Sequence, residues 1–205
     1  MRRVIAAVVA LLAIAAGLLA YQWYPTEKPK ALVYEPPRAL SPFSLEGTFK
    51  DQVTNDDLKG QWTLLFTGYT YCPDVCPTTL AQLTSIIPQL ALQTETPIKV
   101  WMISVDPQRD TVDRLKEYTS YFGKHVEGVR ADHKALYPFV RELGLMYSIP
   151  DPDATDYLVN HSGAIILVNP EGKRVAIFNP HPQEGELPIV NMDQLINDFG
   201  LIVNR

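Results

Sequence analysis

Cysteine is scarce in this chain: two in 205 residues, both in the stretch Cys72-Pro73-Asp74-Val75-Cys76-Pro77. That placement excludes their use as filler. Histidine is nearly as scarce, with four residues. No run of basic residues exists, and acidic residues outnumber basic ones 23 to 18, giving a formal net charge of −5. A nucleic-acid partner is therefore excluded from the expectations. There is no internal repeat, no low-complexity tract, and too little chain for two ordinary domains.

What is present begins with an apolar run. Arg2 and Arg3 precede an unbroken apolar or glycine stretch from Val4 to Ala20, and Tyr21, Trp23 and Tyr24 follow it. A spanning helix needs roughly 20 apolar residues, and aromatic rings favour the membrane boundary. The pattern predicts a transmembrane signal-anchor over residues 1–24. It would lie in the cytoplasmic (inner) membrane as a single pass, with the soluble domain on the periplasmic, extracytoplasmic side. A cleaved signal peptide is the alternative, but Leu18 stands where a small residue is usual. No cysteine lies near the end of the run, which excludes a lipid-modified cysteine anchor. Residues 25–40, rich in proline and charge, read as a stalk. Residues 41–205 then form one domain.

Within that domain Trp62–Thr67 and Ile98–Val105 are short apolar runs suited to buried strands. Phe43–Phe49 and Met146–Ile149 are weaker strand signals, and Val126–Arg130 is a short one. Ala164–Val168 and Arg174–Phe178 flank Asn169-Pro170-Glu171-Gly172, a hairpin signal. Helical periodicity follows Pro77, Asp110 or Thr111, and Asp132, and a last helix is expected over 187–199. Strands alternating with helices, then a hairpin and a helix, predict an α/β sandwich with a mixed central sheet.

The two cysteines thus sit between a buried strand and a helix. Helix N-termini carry unpaired N–H groups and partial positive charge, which favour thiolate. With Pro77 as first helical residue, Cys76 would be the cap. A disulfide closing three intervening residues constrains the unfolded chain little, so a functional pair is favoured over a structural bridge. Two such thiols can form a disulfide, exchange one, or bind a soft metal. A metal would need a third ligand, and histidine is the usual one. His125 and His133 read as solvated, and His181 lies in a proline-rich loop. His161 immediately precedes a buried strand, at a sheet end where α/β folds place their sites. On pattern alone such a histidine is more often structural. Asn160-His161-Ser162 also spells a glycosylation acceptor, a match too short to carry weight.

Three motifs in order, Tyr71-Cys-Pro-Asp-Val-Cys-Pro77, Val105-Asp-Pro-Gln-Arg-Asp-Thr111 and Tyr157-Leu-Val-Asn-His161, resemble the Sco/SenC family from about Ser41 to the C-terminus. The resemblance implies a thioredoxin-like fold and a copper ligand set of Cys72, Cys76 and His161, for Cu(I) or Cu(II). It implies a metallochaperone rather than an enzyme, which helps load the dinuclear copper centre of cytochrome c oxidase subunit II. That subunit and other copper-delivery proteins are the implied partners. Asp106 and Asp110 match the family's acidic motif near the ligands, although Asp110 can also cap a helix and Arg109 can pair with Asp106. The family usually has aspartate where this chain has Asn160, which removes a charge beside the histidine. Zinc also accepts a Cys2His set. A second reading makes the chain a thiol–disulfide oxidoreductase, with a reversible Cys72–Cys76 disulfide as its catalytic pair. A peroxidase is a third reading without independent support.

Overall fold

The computed structural model describes residues 1–22 (side chains through Gly17), 27–149, 156–180 and 187–204. The N-terminal helix α1 runs Arg2–Gln22. Among the described residues no helix is long and apolar enough to cross a membrane. This corrects the expected transmembrane anchor, and the single-pass placement in the cytoplasmic membrane that rested on it.

The domain is built on an eight-stranded sheet. Its strands are β1 (Leu32–Ala39), β2 (Ser44–Gly47), β3 (Val53–Thr54), β4 (Trp62–Gly68), β5 (Ile98–Ser104), β6 (Val126–Arg130), β9 (Ile165–Val168) and β10 (Lys173–Phe178). Two further strands, β7 (Tyr147–Ser148) and β8 (Asn160–His161), form a separate ribbon. The order across the large sheet is β1-β10-β9-β4-β5-β6-β2-β3. The central strands β4, β5 and β6 run parallel, while β9, β10, β1 and β2 pair antiparallel. The sheet is therefore mixed, as expected. Residues 32–39, which lie in the expected stalk, form the edge strand β1 on β10.

Every residue of β4 is buried, the signature of a strand covered on both faces. Alternate side chains serve different layers. Leu64, Phe66, Val100 and Met102 pack with Leu80, Leu83 and Leu90 of helix α2 (Val75–Ala91), Leu115 of α3 (Val112–Ser120), and Leu195 and Phe199 of α5 (Met192–Val203). Leu65, Trp101, Ile103 and Ile166 pack with Leu136, Phe139 and Val140 of α4 (His133–Glu142) on the opposite face. Each fully buried Leu or Ile contributes roughly 1.5–3 kcal/mol. A mixed sheet with helices on both faces is the thioredoxin-like architecture.

Register determines where the chemistry goes. Gly68 at the end of β4 pairs with Ser104 at the end of β5, so the loops that follow both strands leave the same edge of the sheet. Strand β9 runs antiparallel to β4, with Leu65 opposite Ile166. The residues just before β9 therefore reach that same edge. Three segments distant in sequence converge there: the cysteine loop, the turn after β5, and the β8 segment.

Candidate metal centre

Helix α2 starts two residues earlier than Pro77 implies. Asp74 is its N-cap and its side chain makes no capping bond. Instead the Cys72 sulfur accepts the backbone N–H of Cys76 at 3.4 Å. A sulfur thus satisfies one of the free N–H groups of the first turn, where partial positive charge favours an anion. Cys76 lies inside that turn rather than capping it. Pro77 still falls where a missing N–H costs nothing, and the helix continues through Pro88 to Ala91.

The sulfurs of Cys72 and Cys76 and a ring nitrogen of His161 lie within 4.8 Å of one another. Both cysteines are free thiols. Cys76 is buried and Cys72 half-buried. His161 approaches Cys76 through Nε2, 3.5 Å from the sulfur. Its other nitrogen, Nδ1, faces the Ser162 carbonyl at 3.2 Å and the Thr67 hydroxyl at 3.5 Å. The Thr67 hydroxyl itself donates to the Ser162 carbonyl at 2.9 Å. A proton on Nδ1 fits these acceptors and leaves the Nε2 lone pair turned toward the sulfurs. The Tyr69 ring meets the imidazole edge to face, with centroids 6.0 Å apart.

The two thiols are electrostatically unequal. A hydrogen bond from Cys76 pulls the Cys72 thiol down to about 4, with burial opposing and the backbone N–H groups of Cys76 and Asp74 assisting. Cys76 is driven up, first by that same hydrogen bond, then by burial and by the charge of Cys72. Beneath Cys76 the floor is Gly68, where an added Cβ would stand 3.3 Å from the Cys76 sulfur and 3.2 Å from the Met102 methyl. Beside the donors lies a shallow cavity of about 280 Å³, lined by Tyr69, Cys72, Val75, Leu158, His161 and Leu187 among others.

The other expected residues take different places. Asp106 and Asp110 do not join the three donors. Both are fully buried, just past β5. Asp110 accepts from the Ser104 hydroxyl at 2.6 Å and from the Thr70 hydroxyl at 2.6 Å and backbone N–H at 3.1 Å. Burial raises its pKa against those bonds. The helix cap is Thr111, which accepts from the Arg114 N–H at 3.2 Å. Asp106 accepts from Arg109 and from the Tyr157 hydroxyl. Asn160 is exposed on β8 and pairs with Ser148. His125 faces the Ile98 carbonyl and His133 the Tyr147 hydroxyl. His181 lies outside the described residues. Thr67, Gly68 and Tyr69 were not singled out from sequence. Their signal was position: a polar residue and a glycine at the end of an apolar strand, immediately before the cysteine loop.

Two cysteine sulfurs and an imidazole at the open edge of a thioredoxin-like sheet are a donor set compatible with a soft metal of the Cys2His class. The SCO1/SenC family model matches residues 33–192, and the chain belongs to that family. It is 34% identical over 137 residues to the mitochondrial protein SCO1 homolog 1 of Arabidopsis thaliana, covering 67% of this chain and 41% of that one. It is 30% identical over 148 residues to the human mitochondrial SCO1 homolog, covering 71% and 49%. The chain thus spans about half or less of the length of these relatives. The crystal structure of Arabidopsis thaliana ScoI with copper bound superposes with a TM-score of 0.68 at 29% identity, over 80% of this chain and 97% of that one.

Proposed function

We propose that this protein is a copper metallochaperone of cytochrome c oxidase assembly, with copper as cargo held by Cys72, Cys76 and His161. The observation that carries the reading is the gathering of these three donors within 4.8 Å at a family-matched site. The donor set fits the metal: thiolates favour Cu(I), and two thiolates with an imidazole also suit Cu(II). Cys72 is half-buried and already inclined to thiolate, so it is the donor positioned to meet an incoming or departing ion first. Cys76 yields its proton when copper binds, and His161 keeps its proton on Nδ1 and binds through Nε2. The acceptor is the dinuclear copper centre of oxidase subunit II, reached by stepwise ligand exchange. Anaerobic copper titration of wild type, Cys72→Ala, Cys76→Ala and His161→Ala tests the ligand set. Unchanged stoichiometry and affinity in the His161 variant would remove it from the site.

The unequal thiols support a second activity, thiol–disulfide exchange. The Cys72 thiolate attacks a partner disulfide and releases one partner thiolate. Cys76 then loses its proton and attacks the mixed disulfide, releasing the second. The chain ends oxidised as Cys72–Cys76, and the partner ends as a dithiol ready for metal. Reduction of a model disulfide by the His161→Ala variant at wild-type rate would separate this activity from copper handling.

A further inference from the structure

We propose that Arg109 is a positioning residue of the centre, fixing the segment that carries His161 against the loop that carries Cys72. The inference rests on the copper-binding reading above. One guanidinium touches both segments. Its Nε donates to the Asp106 carboxylate at 2.5 Å and its Nη2 to the Tyr157 carbonyl at 2.9 Å. Its Cζ lies 3.7 Å from the centroid of the Tyr157 ring and 4.7 Å from that of Tyr71. Tyr71 directly precedes Cys72, and Tyr157 stands four residues before His161. The Tyr157 hydroxyl closes the ring of contacts by donating to Asp106 at 2.6 Å.

The anchor of this arrangement is rigid. Asp106 is fully buried, and its backbone N–H is bonded to the Ser104 hydroxyl at the end of the central strand β5. The His161 segment gains from such an anchor, because among the described residues β8 pairs with the two-residue strand β7 and not with the large sheet. Thr67 of β4 holds one side of this segment through the Ser162 carbonyl, and Arg109 adds a second tie to the core through Tyr157. Only a planar fork can bond a carboxylate and a carbonyl while lying on an aromatic ring, so lysine is not an equivalent. The bland alternative is that Arg109 merely neutralises Asp106, a task lysine could perform.

The experiment uses the full chain as wild type, Arg109→Lys, Tyr157→Phe, His161→Ala, and the Arg109→Lys, His161→Ala double variant. Copper(II) competition titrations and the thiolate-to-Cu(II) absorption band are recorded. The His161 imidazole signals are followed by NMR in the metal-free protein. Arg109→Lys is expected to weaken Cu(II) binding about 10- to 100-fold, the range typical when groups that orient a ligand are removed. It should shift the absorption band and displace or broaden the His161 signals without metal. In the His161→Ala background the same change should cost less than about twofold, since coupling through one residue is non-additive. A folded Arg109→Lys protein with wild-type affinity and His161 signals overturns the proposal, and so does an equal loss in the His161→Ala background. Should Arg109→Lys not fold, Tyr157→Phe removes only the hydroxyl contact to Asp106 and decides by the same readouts. Wild-type behaviour there overturns the proposal. A wild type that binds no copper defeats the copper reading, while the metal-free His161 signals still decide the role of Arg109.

Discussion

The two halves of the candidate metal centre are held by different means. The cysteines lie on a contiguous stretch running from just after a fully buried strand into the first turn of a helix, and the Cys72 sulfur itself completes the helix start. The histidine arrives 85 residues after Cys76 on a two-residue strand outside the main sheet, tied down by side chains of other segments. One half is made by local structure, and the other by tertiary contacts alone. This difference predicts which changes abolish the site and which only loosen it.

The largest effect falls on the local half. Cys72→Ala and Cys76→Ala each leave one thiolate, and copper binding at equimolar metal should disappear in a reducing titration. Retained stoichiometric binding by either would break the assignment of the pair. Next comes the acidity of Cys72. With its thiol pulled down to about 4, it is thiolate above that pH and thiol below. Its alkylation in the metal-free protein should change little between pH 8 and 5 and fall only below that. An ordinary cysteine of pKa near 8.5 would slow about a thousandfold over the same range. A profile with its midpoint near 8.5 would show that the helix start and Cys76 do not stabilise the anion.

The distal half should fail more gently. His161→Ala leaves the dithiolate intact, so Cu(I) should be retained within about tenfold, because soft thiolates dominate its binding. Cu(II) should weaken by more than the roughly 100-fold ceiling of an outer partner. Equal losses in both oxidation states would erase the contrast between the two halves.

The same contrast explains what could be read from sequence. Buried strands were legible because burial on both faces demands an apolar run, and Trp62, Ile98 and Val126 start their strands as expected. The cysteines were legible because they follow such a run at once. Strand β1 was not legible: Glu35-Pro36-Pro37-Arg38 sits on an exposed edge, where no alternation is required. Nor was the true start of α2, because the group that satisfies its N–H is a sulfur two residues before the cap. The last helix begins at Met192 because Asn191 caps it, accepting the Gln194 N–H at 2.9 Å. His161 could be nominated by its place before a buried strand, but its approach to Cys76 depends on β9 running antiparallel beside β4, which is tertiary information. The apolar run at the N-terminus suggested a membrane span by composition, but among the described residues no helix is long and apolar enough to cross a membrane.

A smaller effect is expected at the floor of the local half. Gly68→Ala places a methyl 3.3 Å from the Cys76 sulfur, 3.1 Å from the Phe66 ring and 3.2 Å from the Met102 methyl. Overpacking of this kind costs about 1–3 kcal/mol. Thermal unfolding should show that loss, and Cu(I) affinity should fall about tenfold as the sulfur is displaced. The double change Gly68→Ala, Met102→Val should recover part of both. Wild-type copper affinity in Gly68→Ala would show that the loop absorbs the methyl without moving the ligand.

The smallest effect belongs to Asn160. It is adjacent to His161 in sequence, which suggests a direct influence on the ligand, and a carboxylate there would favour a dication over a monocation. The structure reduces the size of that influence. Asn160 borders the same cavity as Cys72 and His161, but it is exposed there to a screening solvent. His161 already has acceptors for its Nδ1 proton in Ser162 and Thr67, which leaves no vacancy for a carboxylate to fill. Asn160→Asp should therefore strengthen Cu(II) binding by only about threefold, the Coulomb effect of one charge in high dielectric, and leave Cu(I) binding nearly unchanged. That gain should vanish at high salt. Matched Cu(I) and Cu(II) titrations at low and high ionic strength decide the matter. A gain of tenfold or more that survives salt would mean that the carboxylate turns inward and joins the ligand's hydrogen-bonded surroundings, making the distal half more adaptable than its contacts imply.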